Sequence, residues 1–449
     1  MAVSVSLSQL LHLVADRFPD WAALDDAGRA AAGERCRRRL ETIGVAINAV
    51  ARVMPQQKPS PGALAGLPYA VKDMIANGYA ALSWGCASPL EHRTAPAAVV
   101  DTLNACGASM VAAAEMTTLA YEPSGYNKER GNVLNPWNSA FVPGGSSSGS
   151  AALVAAGCCD VALGSDTGGS VRIPAHCCGI TALKPSWGAI SEDGTMPLAP
   201  SLDTIGILAR SAIDIAVVWR ALAGRPPDFD GVKKATVIEG ALTECDADIV
   251  ALLRDAVAII ARLGVAIGSS RGFPQGADRA ALLVMQAEAA RTHGDLIASE
   301  ALDPVLRKRL GKGFEIPDAD LEATLRRRVA TCEEFLTQCV GDADVAILPV
   351  MPVTTPRYEE TDPSSPRFNP RKLYAMSRFT RFVNYLGLPA LALPMGFDGN
   401  GMPAALQIVG RPGSEAQLLD LARRFQEETD WHGRVPKGIA ADTMTTRQG

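Results

Sequence analysis

Two glycine–serine segments hold the hydroxyls best able to act as nucleophiles: Pro143-Gly144-Gly145-Ser146-Ser147-Ser148-Gly149-Ser150 and Gly164-Ser165-Asp166-Thr167-Gly168-Gly169-Ser170. A flexible linker is a poor reading of the first, because it runs directly into an Ala-rich stretch and is embedded in apolar sequence. A phosphate cradle at a helix N-terminus would bring a GxxxxGK[ST] or GxGxxG pattern, and neither occurs. In the second segment Gly168 and Gly169 lead into Ser170, so consecutive N–H groups turned one way can hold an oxyanion beside an exposed serine. A nucleophile at Ser170 or Ser146 needs a base. The five histidines are His12, His92, His176, His293 and His432, and none has a triad context or a GxSxG elbow. His176 follows Ser170 by six positions, but its Ile-Pro-Ala-His-Cys-Cys setting reads as core. A serine–lysine pair is the other known solution. Lys72 ends the apolar run Leu67–Val71, where burial disfavours the ammonium and leaves an amine able to take a proton. Taken alone, the same position suits an ordinary surface lysine at a strand end.

Elements must bring these distant residues together. Short apolar runs at 69–71, 109–112 and 161–164 alternate with Ala-rich helical stretches at 96–106 and 149–157, which predicts strands joined through helices in a parallel or mixed sheet. Residues 1–54 read as helices, with Leu7, Leu10, Leu11 and Val14 on one face and the run Glu34–Arg39 as a solvated helix face. The stretch 228–343 is helical and charged, with amphipathic segments at 248–263, 277–301 and 317–340. Strands are expected again at 345–350, 389–394 and 404–410, and a last helix at 414–428.

Composition narrows the classes. The chain has 449 residues, 47% hydrophobic and 20% charged, so it is neither disordered nor fibrous. Only 5% are aromatic, so close backbone packing must do much of the core's work. A net charge of −5 argues against a nucleic-acid partner. The longest apolar run, near 151–164, is too short and too interrupted for a membrane span. Ten cysteines, including the pairs Cys158-Cys159 and Cys177-Cys178, show no metal-ligand spacing and read as reduced, buried thiols in a cytoplasmic protein.

Several long motifs resemble the amidase signature family: GLPYAVKD (66–73), PGGSSSGSAALVAAG (143–157), GSDTGGSVRIPA (164–175) and CGITALKPS (178–186). The shorter stretches Tyr121–Asn127, Asn135–Trp137, Ser201–Gly206, Asp344–Pro349 and Leu386–Ala390 extend the resemblance over roughly 60–430. It implies an α/β fold, an α/β/α sandwich with a large central mixed sheet flanked by helices. The implied catalytic domain is 60–449, with a variable, mostly helical substrate-shaping region at about 228–343; an N-terminal helical segment, 1–54, packs on the core or on a dimer partner. It also implies roles. Ser170 is the nucleophile, Ser146 the bridging serine at a cis peptide bond, and Lys72 the base. Thr167, Gly168, Gly169 and the Ser170 N–H form the oxyanion hole, buttressed by Asp166 and Arg172. Met116, Tyr121 and Tyr126 belong to substrate-lining segments. Ser165 and His176-Cys177 depart from the usual pattern, and neither departure is expected to touch a catalytic position.

The activity implied is hydrolysis of a small carboxamide to carboxylate and ammonia or amine, an acylamide amidohydrolase, with no metal or cofactor and with a homodimer as the preferred assembly. Two alternatives are a hydrolase of urea-type amides such as allophanate or carboxybiuret, and the glutaminase subunit of a tRNA-dependent amidotransferase. Ile173, where that subunit usually has Gln, and an unlike 228–343 region weigh against the last.

Overall fold

The computed structural model describes residues 20–55, 60–91, 95–224, 229–298 and 302–437; the apolar face expected at Leu7–Val14 lies outside them. Eleven strands form one sheet: β1 Val50–Val53, β2 Pro68–Lys72, β3 Ser109–Ala114, β4 Val161–Ser165, β5 Thr181–Lys184, β6 Ile205–Ala209, β7 Lys234–Ile238, β8 Ala266–Ser270, β9 Val345–Pro349, β10 Ala390–Phe397 and β11 Pro403–Gly410. Their order is β1-β3-β2-β4-β6-β5-β10-β11-β9-β7-β8. The pairs β3–β2, β2–β4, β9–β7 and β7–β8 are parallel and the others antiparallel, so the sheet is mixed, as expected. No helix among the described residues is long and apolar enough to cross a membrane.

Side chains alternate between the two faces of a strand, and here the faces differ in bulk. Tyr69, Val71, Val161, Leu163, Leu183, Ile207, Leu391 and Leu393 point into one core, against the helices Ala98–Ala105, Ala212–Ala223, Ala247–Arg262 and Glu415–Glu427. On the opposite face stand Ala70, Ala162, Ala182 and Ala392, under the helices Ser148–Ala155 and Arg172–Cys178. Small side chains let those two helices sit close to the sheet. Gly149 marks the tightest approach: a Cβ there would lie 2.5 Å from the Glu115 nitrogen and 2.6 Å from the Ala49 carbonyl oxygen. Both helices carry the serine segments, so this alanine face positions the chemistry.

Several expectations are corrected. The N-terminal stretch is not wholly helical, because Val50–Val53 pairs antiparallel with β3. The Glu34–Arg39 run is not a uniformly solvated face; Cys36 and Arg39 are buried. Residues 228–343 contain two strands, β7 and β8, which hydrogen bond at the sheet edge. The helix expected over 277–301 breaks at His293 into Gln275–Thr292 and Gly294–Ala298. That over 317–340 divides into Asp318–Arg326, Arg328–Phe335 and a π turn at Leu336–Val340.

Candidate active site

Lys72 is the last residue of β2, flanked by β3 and β4 on the parallel part of the sheet, and is fully buried. Its Nζ lies 2.7 Å from Ser146 Oγ and 2.8 Å from Ser165 Oγ. Burial lowers its pKa from 10.5 to about 7, against the opposing pull of the Asp166 and Asp203 charges. Ser165 ends β4, and its hydroxyl donates to Met74 Sδ at 3.1 Å. With that proton committed, Ser165 Oγ accepts from the lysine, and the amine lone pair is left for Ser146. This corrects the expectation that Ser165 stays clear of the catalytic positions: it touches Lys72 directly. The strand register, which ends β2 and β4 side by side, was the missing information.

Ser146 follows a cis Gly145–Ser146 peptide bond and is fully buried. The Ser147 N–H donates to the Ser170 carbonyl at 3.2 Å, tying the two serine segments together. Across Phe141–Pro185 every residue is buried except Ser170, which faces a cavity of about 100 Å³. Thr167 and Gly168 line the same cavity.

The loop carrying Ser170 is held from behind. Asp166 accepts from the Gly169 N–H at 2.8 Å and the Val171 N–H at 3.2 Å. Arg172 grips the same carboxylate through Nε at 3.0 Å and Nη2 at 2.8 Å. Burial alone would raise the Asp166 pKa; the Arg172 charge and hydrogen bond, Lys184 and Asn384 outweigh it and hold the carboxyl well below the usual range. Arg172 also donates to Gln407 and Asn384, at 2.5 and 2.7 Å. Thr167 Oγ1 donates to Asp203 at 2.6 Å, and Thr380 Oγ1 to the Gly168 carbonyl at 2.6 Å. Gly169 has φ +124°, and a Cβ there would fall 2.2 Å from Thr380 Oγ1, so only glycine fits. Asn384, Gln407 and Thr380 lie more than 200 residues from the loop they brace, and no local pattern announces them.

Other candidates separate cleanly. His176 is buried, accepts the Ala405 N–H through Nδ1 at 3.1 Å, and is pushed down to about 3 by burial, so it is the neutral core histidine expected. Lys184 is also buried and lowered to about 7, first by desolvation and then by Arg172, but its amine donates to the Pro185 carbonyl at 2.6 Å. Cys158 and Cys177 are pushed up to about 12 by burial, which keeps them protonated. Among the described residues no three His, Cys, Asp or Glu side chains cluster as a metal-ligand set. Of the expected substrate contacts, Tyr121 lines the Ser170 cavity, and Tyr126 lines a neighbouring one with Glu122 and Asp303. Met116 lines neither. It is buried, and its carbonyl accepts from Asn127 Nδ2 at 2.9 Å. From the variable region Leu282 and Met285 reach the cavity, joined by Arg309 and Lys312, which no sequence pattern singled out.

The Amidase family model matches residues 40–237 and 276–419. A curated relative, a subunit of the glutamyl-tRNA(Gln) amidotransferase of Carboxydothermus hydrogenoformans, is 33% identical over 427 residues, covering 84% of this chain and 86% of that protein. A crystal structure of an amidase superposes with a TM-score of 0.80 at 28% identity, covering 89% of this chain and 96% of its own. The corresponding glutamyl-tRNA(Gln) amidotransferase subunit from Thermotoga maritima gives 0.77 at 25%, covering 97% of each. With the family model spanning most of the sheet and both serine segments, the chain belongs to the amidase signature family.

Proposed function

We propose that the protein hydrolyses a carboxamide C–N bond through an acyl-enzyme on Ser170. Ser170 Oγ attacks the carbonyl carbon as its proton passes to Ser146 Oγ, whose own proton moves to the Lys72 amine. The backbone N–H groups of Thr167, Gly168 and Ser170 stabilise the tetrahedral oxyanion; that of Gly169, expected in the hole from the sequence, is committed to Asp166 and holds the loop instead. Collapse returns the proton from Lys72 through Ser146 to the leaving nitrogen. Water then attacks the acyl carbonyl, losing its proton along the same relay; collapse breaks the ester bond, returns that proton to Ser170 Oγ and releases the acid, which ionises to the carboxylate. Side chains and backbone supply every step, so no metal or cofactor is invoked.

The observation that carries this reading is the buried Lys72–Ser146 contact of 2.7 Å around a lysine lowered to about 7. A lysine in that state accepts a proton near neutral pH, and of the two hydroxyl residues of these segments that line the cavity, Thr167 is committed to Asp203 and Ser170 is the serine. Mixing enzyme with an activated amide and quenching early should give a protein mass increased by the acyl group on Ser170. Ser170→Ala should give no adduct and lose several orders of magnitude in turnover. An adduct on another residue sinks the assignment.

On biological setting, the relatives favour a role that the sequence motifs alone ranked below a freestanding amidase. Proteins alike over 84% of this chain are named as amidotransferase subunits, which supports a glutaminase role that delivers ammonia within a larger assembly. Glutaminase activity of the chain purified with and without co-expressed partners tests that role.

A further inference from the structure

The cavity at Ser170 is bordered by two cations without acidic partners. Arg309, half-buried near the end of the helix Pro304–Gly311, sets its guanidinium 5.5 Å from the Tyr121 ring centroid and 5.7 Å from that of Tyr374. Lys312, exposed at the rim, follows directly after that helix. Among the described residues neither side chain takes part in a hydrogen bond or ion pair. The neighbouring cations differ. Arg381 is paired with Asp278, Arg378 with Glu244 and Asp278, and Lys128 with Asp303. No Asp or Glu lines this cavity. Arg309 also lines the adjoining cavity, where Glu122 feels its charge; no hydrogen bond or ion pair joins the two side chains, and Glu122 Oε2 accepts from Ser124, Gly125 and Tyr126 while Oε1 has no hydrogen-bond partner. An arginine held by aromatic faces keeps its N–H edge free, and that edge matches a carboxylate. Leu198, Leu282 and Met285 give the same cavity an apolar part of its lining.

We propose that the substrate is a small carboxamide whose far end carries a carboxylate, with the amide at Ser170, an apolar spacer along Leu198, Leu282 and Met285, and the carboxylate on Arg309 with Lys312 at the rim. This rests on the Ser170 acyl-enzyme reading and adds the substrate class. A charged hydrogen-bonded pair contributes roughly 1.5–3 kcal/mol, so the acid should exceed its neutral counterpart by about 10- to 100-fold in kcat/KM.

Ammonia release would be followed from succinamate, glutaramate and adipamate, each beside the neutral amide of the same carbon count (butanamide, pentanamide and hexanamide), and from glutamine. The acid-to-neutral ratio at the best length should exceed ten in the unaltered enzyme. It should collapse toward one in Arg309→Gln and recover in part in Arg309→Lys, with thermal melting confirming that both variants fold. A ratio near one in the unaltered enzyme, or one that survives in Arg309→Gln, overturns the proposal. Both monoamides and glutamine present a carboxylate: glutamine ahead of glutaramate identifies an amino-acid amide, and the reverse order a simple dicarboxylic monoamide, since the ammonium meets no carboxylate in this lining. No ammonia from any amide, together with no acyl mass on Ser170, overturns the hydrolase reading and this proposal with it.

Discussion

At the residue scale the central fact is one lysine placed where a charge is costly. An ordinary lysine, with a pKa near 10.4, is almost fully protonated at pH 7; Lys72, lowered to about 7 by burial, is near half neutral there. On the proposed mechanism the neutral amine is the active form, so kcat/KM should rise with pH through a single ionisation near 7 and level off above it. Lys72→Ala should lose that limb and leave a slow, pH-independent remainder. A wild-type-like profile in Lys72→Ala would remove the lysine as base. The same shift has a stability consequence. Between pH 7 and 10.5 the unfolded chain holds the Lys72 proton and the folded chain does not, so this residue makes stability rise with pH across that window, and its burial penalty is largest below it. Lys72→Met should therefore raise the melting temperature by a few degrees at pH 7 and by less at pH 10; equal shifts at both pH values would show that the lysine is not held neutral. Ser165 acts one step out, by occupying a lysine N–H. Ser165→Ala should slow kcat by ~10- to 100-fold and move the pH midpoint, and an unmoved midpoint would limit Ser165 to packing.

At the element scale, function depends on a thin, alanine-faced side of the sheet. The helix Ser148–Ala155 starts against backbone atoms of Ala49 and Glu115, which cannot rotate away as a side chain would. Gly149→Ala should cost about 1–3 kcal/mol, through overpacking, and abolish turnover by lifting Ser146 from Lys72. Gly33→Ala provides the contrast. It lies in the helix Asp26–Arg39 with nothing within 4 Å of its Cβ, and should gain about 0.5–1 kcal/mol. Denaturant melts of the two variants check both, and a tolerated Gly149→Ala would refute the tight-approach account. The strands β2, β3, β4, β9, β10 and β11 and the serine segments were legible in sequence because apolar runs, glycines and serines are local signals, whereas β1 lay in a stretch read as helices and β5 and β6 were not singled out as strands. The π turn, the helix breaks and the strands β7 and β8 were not: β8, Ala-Ile-Gly-Ser-Ser, has no hydrophobic period, and its pairing with β7 defines it. Ser165 was misjudged for the same reason, since its neighbour Lys72 is reached only through strand register.

At the scale of the whole molecule, the buried ion pair Asp166–Arg172 joins the loop to Gln407 on β11 and to Asn384 on the helix Arg381–Leu386, so distant parts of the chain converge behind Ser170. Breaking such a pair from one side leaves an uncompensated charge, and Arg172→Met should destabilise by ~3–5 kcal/mol. The same convergence bears on whether the chain works alone. Lys72, Ser146, Ser165, Ser170 and the braces behind them all come from this one chain. On the proposed mechanism, hydrolysis of a simple amide draws every named group from this chain, whatever assembly uses the ammonia. The purified chain should release ammonia with kcat/KM changed less than about threefold when candidate partner proteins are added, a margin well under 1 kcal/mol. Light scattering at micromolar concentration on the same sample checks the homodimer expected from sequence, and a monomer mass removes it. If ammonia appears only with a co-expressed partner, the geometry that closes here is not the working one, and the site is completed by that partner.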